Sequence, residues 1–359
     1  MLDGVTVVDL TDEAGWLAGR ILADLSARVT LVEPPGGQAG RTTLPHRFAA
    51  QNAGKRSAVL DDEQTARLVA RADVVLETGL TDRFERWAVA RTVWCAITPW
   101  GRTGPRAHDP ASDLSVQAAS GVTWMTGDPD RAPVPCTFPT SSYHGCADAA
   151  AGVVMALVQR ERTRRGQLVD VSLQEAHALA TMSRIGQFAL TGQRGRRAGA
   201  LMRVGDTTQR EIWPCADGHV TFGLRGGPAR IPGLKRLVAW MSEEGFATAA
   251  LTERDWDAYS HTLLAQPEVD AISRPIARFF ATKTMTELYE AALTRGLMLA
   301  PANTAREILS SPQAAARGFF ADIGRYRLPR AFVRSDAVAG VTRGAPVIGE
   351  HTVEVLAEL

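Results

Sequence analysis

Over its first hundred residues the chain alternates short apolar runs with stretches whose apolar residues recur at helical spacing. Val5–Asp9 reads as a buried strand, and the next segment carries Leu17, Ile21, Leu22 and Leu25 on one helical face. Val29–Glu33 is a second strand, ended by the turn Pro34-Pro35-Gly36-Gly37. Ser57–Leu60, Val74–Glu77 and Thr92–Thr98 continue the series, separated by polar helical segments. Such alternation predicts an α/β fold with a mostly parallel sheet covered by helices.

Residues 101–139 are rich in Gly, Pro, Asp and Ser, which predicts long connections. Ala147–Arg160 then has the apolar content of a buried helix, with Ser141–Gly145 as the segment just ahead of it. A strand at Leu168–Ser172 and a helix from about Gln174 to Leu190 follow. The Arg/Gly-rich stretch 192–199 marks a linker and a domain boundary. Beyond it, Glu211–Cys215, a turn at Asp217-Gly218, and His219–Leu224 predict a hairpin. Thr284 with Glu287 forms a capping-box pattern ahead of a stripe of Met285, Leu288, Tyr289, Ala292 and Leu293, which predicts core packing. Gly296 is a helix stop.

The length of 359 residues, at roughly 150 per domain, predicts about two domains. The 40 basic and 39 acidic residues nearly cancel, so no bulk electrostatic grip on nucleic acid or an anionic membrane is expected. The dense apolar run Ala149–Val158 has about half the residues needed to span a bilayer. The four cysteines form no CxxC pair and the opening residues lack a signal-peptide layout, which predicts reduced thiols in a cytoplasmic protein.

The first strand–helix–strand unit ends in Glu33, where a dinucleotide fold would put its ribose-binding acid. Its turn, Thr11-Asp-Glu-Ala-Gly15-Trp-Leu-Ala-Gly19, is not GxGxxG, which argues against a nicotinamide cofactor. The seven histidines are scattered without ligand spacing, so no metal is expected. His144 stands out among them for acid–base work, because it lies just before a buried helix.

Several segments together resemble the class III CoA-transferase family, which includes formyl-CoA and carnitine CoA-transferases and alpha-methylacyl-CoA racemase. They are Leu2–Leu10, Leu22–Leu25, Val32–Gly37, Asn52–Ser57, Gly101–Pro105, Asp113 with Ser120-Gly121, Arg160–Gln167 with Val169–Ser172, Ala300–Thr304 and Ala316–Phe320. The resemblance spans nearly the whole chain in order. It implies a large Rossmann-like CoA-binding domain at 1–195, a small inserted α+β domain at 205–305, and a return to the large domain at 306–359. It further implies an interlocked homodimer that binds an acyl-CoA thioester and a small carboxylic acid. Ala14 in the first loop, Leu60, Thr78 and Arg83 fall where the family contacts coenzyme A, with Arg83 at the nucleotide end.

Transfer in the family proceeds through an aspartate that attacks the thioester. Counting back from Arg160 and Gly152 puts Ser142 at that position, and a serine cannot form the acid anhydride of the usual cycle. The racemase branch's histidine would fall at Ser112. The family lysine after the Leu-Asp pair is also absent, since Leu60-Asp61 is followed by Asp62-Glu63.

Three readings therefore stand. One is a CoA-transferase-like enzyme with Ser142 in place of the aspartate. Another is proton chemistry on an acyl-CoA, such as epimerisation or elimination, with His144 as base. The third is a catalytically silent subunit paired with an aspartate-bearing paralogue, because Pro139–Gly145 and Trp213–His219 are similar to the aspartate-less chain of two-gene assemblies in the family. Bland alternatives are Asn52–Ser57 as a turn and strand start, Arg160–Arg165 as a solvated basic loop, and Ser142 as an ordinary loop serine. Trp213, Phe222, Trp240 and Met241 suggest an apolar or aromatic acyl pocket. Trp124 and Met125 suggest either an acyl contact or core packing.

Overall fold

Six parallel strands build one sheet in the computed structural model, which describes every residue of the chain except residue 339. They are β1 (Thr6–Leu10), β2 (Arg28–Glu33), β3 (Arg56–Val59), β4 (Val74–Thr78), β5 (Val93–Thr98) and β6 (Leu168–Ser172), in spatial order β3-β2-β1-β4-β5-β6. Strands buried on both faces need near-continuous apolar runs, and Val74-Val75-Leu76 and Val93–Ile97 supply them. β1 pairs with β2 on one side and β4 on the other. The strand order therefore reverses beside β1, and in such sheets ligands bind in the crevice beyond the strands' carboxyl ends at that point.

The first helix, Trp16–Asp24, returns the chain from β1 to β2 and comes unusually close to the sheet. A side chain at Gly15 would collide with Thr11 and Thr78, and one at Gly19 with Asp9 and Lys55. These glycines serve packing. Gly19 leaves room for a fully buried ion pair, Lys55 Nζ to Asp9 Oδ2 at 2.7 Å. The same ammonium donates to the Trp16 carbonyl and to Asn52 Oδ1, both at 2.8 Å. Asp9 Oδ1 accepts from the backbone and the hydroxyl of Thr11. The segment 52–57, which reads in sequence as a turn and strand start, is thus also an internal anchor.

Between β5 and β6 runs a 24-residue helix, Thr140–Thr163. It begins seven residues before the apolar pattern predicts, so Ser142 and His144 lie in its first turns rather than in a preceding loop. Its far end is fixed by Arg160, which pairs with Asp73 at 3.0 Å and donates to the carbonyls of Asp73 and Arg91. Arg160 is accordingly buried; the residues after it are exposed, but 161–163 are still helix, so the loop expected over 160–165 begins only at Arg164. The single helix expected over 174–190 is two helices, Leu173–Ala178 and Met182–Thr191, joined by a 3-10 turn.

The outer edge of β3 is met by residues from far along the chain. The His351 N–H donates to the Ser57 carbonyl at 2.9 Å, and the Val59 N–H to the Thr352 hydroxyl at 3.0 Å. Arg56 pairs with Glu358 at 3.0 Å.

The chain divides into two compact units, one of Met1–Trp124, Val134–Gly195 and Pro312–Leu359, the other of Met125–Pro133 and Arg196–Ser311. The second contains the expected hairpin, as Ile212–Pro214 against His219–Phe222, extended by Leu299–Pro301. Its helix Met285–Arg295 carries the predicted Thr284/Glu287 capping box and stops at Gly296 in the left-handed region. Leu288 and Ala292 are buried, but Tyr289 and Leu293 are exposed, so the core-facing stripe is narrower than the sequence suggests. Trp213, Phe222, Trp240 and Met241 are buried in that unit's own core and do not present an acyl-binding surface. Among the described residues no helix is long and apolar enough to cross a membrane.

Candidate active site

Beyond the carboxyl ends of β1 to β4 lies a crevice of about 660 Å³, a size typical of small-molecule sites. Thr11, Asp12 and Glu13 border it after β1, Glu33 and Pro34 at the end of β2, Leu60 to Asp62 after β3, and Thr78 and Arg83 at and after the end of β4. Leu60, Thr78 and Arg83 thus line one cavity, and Ala14 is the neighbour of the lining residue Glu13. The Thr78 hydroxyl accepts the Asp12 N–H at 2.9 Å, which fixes the first loop against β4. Arg83 reaches back to Glu77 at 3.3 Å. Burial pushes the Glu77 carboxyl above its ordinary value, against the opposing pull of Thr81 and Arg83. At the end of β2, burial would raise Glu33, but Arg41 and Ser57 outweigh it and hold that carboxyl low.

A second cluster surrounds the start of the 140–163 helix. Ser142 is its third residue and only 5% exposed, and its hydroxyl has no hydrogen-bond partner among the described residues. The neighbouring Ser141 hydroxyl instead donates to Asp113, which also accepts from Gln117. His144 is exposed, and its ring lies 5.4 Å from that of the buried His177. His177 Nδ1 is 2.9 Å from the Ser120 hydroxyl, which itself donates to the Gln117 carbonyl. The Ser120 oxygen therefore accepts from Nδ1–H, and Nε2 is the unprotonated nitrogen. Burial, with the His144 charge second, holds His177 below its ordinary value, against the pull of Asp113.

The cluster and the crevice adjoin. Cys146, one turn past Ser142, donates its thiol to the Ala14 carbonyl at 3.2 Å. Burial pushes that thiol up to about 12, so it stays protonated at neutral pH and is no nucleophile. Arg47 donates to the Glu13 carbonyl and lies 6.0 Å from the Tyr143 ring. The first loop thus has the crevice on one side and the helix start on the other. Among the described residues no group of three or more His, Cys, Asp or Glu side chains could hold a metal ion.

The family model for CoA-transferase family III matches residues 2–352. The chain belongs to that family. A relative named succinyl-CoA:(R)-benzylsuccinate CoA-transferase subunit BbsE, from Thauera aromatica, is 32% identical over 98% of this chain and 92% of its own length. Succinate–glutarate CoA-transferase of Agrobacterium fabrum is 26% identical over 100% of this chain and 95% of its own. A solved structure of a CAIB/BAIF family protein from Brucella suis superposes with a TM-score of 0.84 at 24% identity, covering 99% of this chain and 98% of that one, a likeness of fold. Family and relatives together support an enzyme of CoA transfer that acts on acyl-CoA thioesters.

Sequence reasoning missed His177 and the Asp113–Ser141 bond. The hydrogen-bond partner of His177, Ser120, is 57 residues back, at the end of another helix, so no local spacing betrays it. Asp113 was visible only as part of the family resemblance.

Proposed function

We propose that this chain is the aspartate-lacking member of a CoA-transferase that moves CoA between a thioester and a small carboxylic acid. Its larger unit holds the CoA moiety, with Leu60, Thr78 and Arg83 in the crevice. The pantetheine arm runs past Ala14 toward Ser142, and a paralogous chain brings the carboxylate nucleophile. The observation that carries this reading is Ser142, a largely buried residue whose hydroxyl bonds to no base among the described residues. A serine nucleophile needs an adjacent general base, and neither His144 nor Asp113 is bonded to it. The name of the Thauera relative, a subunit, suits the same reading. So do the apolar side chains exposed on two helices, Met155 and Val158 on one, Met182, Ile185 and Phe188 on the other. Surfaces of that kind mark association sites, in a homodimer or with a paralogue.

The test is CoA exchange between succinyl-CoA and acetate, measured with the chain alone and mixed with an aspartate-bearing paralogue. Exchange is expected only in the mixture, and Ser142→Ala should leave its rate within about twofold, since the hydroxyl does no chemistry. Exchange by the chain alone that Ser142→Ala abolishes would overturn the proposal.

The His144–His177 ring pair favours a second reading, proton abstraction beside the thioester carbonyl by His144. It predicts deuterium uptake at that carbon of propionyl-CoA in heavy water, lost in His144→Ala. No uptake by the unaltered chain would exclude it.

A further inference from the structure

Arg47 is held by bonds that leave its charge in place. It stands half-buried in the short helix Pro45–Gln51. Its Nε donates to Gln51 Oε1 at 3.1 Å, one turn along the same helix, and a terminal nitrogen donates to the Glu13 carbonyl. Both acceptors are neutral, so these bonds fix where the guanidinium lies without cancelling its charge. The same group is 6.0 Å from the centre of the Tyr143 ring. Glu13 precedes Ala14 in the first loop, and Tyr143 follows Ser142 in the long helix. Arg47 therefore bridges the two segments that meet where the Cys146 thiol bonds to the Ala14 carbonyl. Burial sets the state of that thiol, but the Arg47 charge is felt there too, in the direction that favours an anion.

A guanidinium already positioned and partly removed from water gains most from a carboxylate, whose two oxygens match its fork of N–H donors. On the reading above, the pantetheine arm passes Ala14 toward Ser142, which brings the acyl group to the Arg47 side of the first loop. The phosphates of the same ligand lie on the other side, in the crevice that Arg83 lines. A thioester carbonyl is uncharged, so the anion that suits Arg47 is a second carboxylate on the acyl group. We propose that Arg47 is a specificity residue for dicarboxylic acyl-CoA thioesters, pairing with the carboxylate at the far end of a short acyl chain. The assignment rests on the acyl-CoA reading given above and supplies the substrate class for it.

Calorimetric titration of the full chain with succinyl-CoA and with butyryl-CoA tests it, because the two acyl groups share a carbon count and differ in the terminal carboxylate. Succinyl-CoA should bind about tenfold more tightly, as expected of a charge-assisted bond at a half-buried site. Arg47→Gln removes the charge and retains an N–H donor, and should cut the ratio to about twofold or less while butyryl-CoA affinity stays within about twofold. Arg47→Lys keeps the charge without the fork and should hold a ratio of about fivefold. Equal binding of the two thioesters by the unaltered chain would overturn the specificity while leaving the CoA reading in place. Equal weakening of both by Arg47→Gln, with the ratio kept, would make Arg47 a staple of the first loop and refute its role in specificity. Failure of both thioesters and of CoA itself to bind would remove the CoA reading, and the assignment with it.

Discussion

Replacing Lys55 by Met would strip its paired cation from a carboxylate sealed inside the larger unit. Both side chains of the Lys55–Asp9 pair are 0% exposed, so water cannot replace what is lost. Three bonds from the ammonium disappear, to Asp9, the Trp16 carbonyl and Asn52. Asp9 keeps only the two bonds from Thr11. Each bond to a charged group contributes about 1.5–3 kcal/mol, but Met recovers apolar contact and the lysine's own desolvation cost vanishes. That cost is real, for burial is the main influence on Lys55 and drives its amine below the usual value. Breaking a buried pair from one side costs about 3–5 kcal/mol, and that range applies here. Urea unfolding followed by tryptophan fluorescence should show a midpoint lower by on the order of 1 M. Adding Asp9→Asn to Lys55→Met removes the stranded charge and should restore at least about 1 kcal/mol, because the two sites are coupled. A single-variant loss below about 1 kcal/mol, or a double variant as unstable as the sum of both changes, would refute the argument.

Gly19→Ala puts a methyl group against the Asp9 carboxylate and 2.9 Å from Lys55 Nζ, and should cost about 1–3 kcal/mol by overpacking, read as a lowered melting temperature. His177 is held below its ordinary value near 6.5, so between the two values the unfolded chain binds the extra proton more readily. Stability should therefore be full above about pH 6.5 and decline as pH falls toward the folded value, and His177→Gln should flatten that part of a melting-temperature profile. Thr284→Ala removes the side-chain cap of the Met285–Arg295 helix and should destabilise the smaller unit by about 1 kcal/mol, seen as faster hydrogen exchange in its first turn.

The central sheet could be read from the chain because parallel strands covered on both faces must be short runs of apolar residues, as Val74-Val75-Leu76 and Val93–Ile97 are. The start of the long helix could not. Ser141-Ser142-Tyr143-His144-Gly145 has neither apolar periodicity nor strong helix formers, and tertiary packing of Ser141, Ser142, Gly145 and Cys146 makes it helical. The same limit explains Leu293, which has the right spacing for a core position but faces solvent in this chain. At the crevice, Leu60, Thr78 and Arg83 were visible only through resemblance to a family. Their meeting is a product of strand order, which periodicity does not encode. The Lys55–Asp9 pair spans 46 residues, and a lone lysine in sequence carries no sign that it will be buried.

The bonds between β3 and residues 351–358 also govern how the protein comes into being. Val59 and the hydroxyl it donates to are 293 residues apart. At about 5–20 residues per second, a ribosome takes roughly 15–60 s to make that interval. Throughout it, one edge of the nascent sheet has its N–H and C=O groups open, a template on which another growing chain can pair. Translation speed and chaperone supply should therefore set the yield of this protein as strongly as its final stability does.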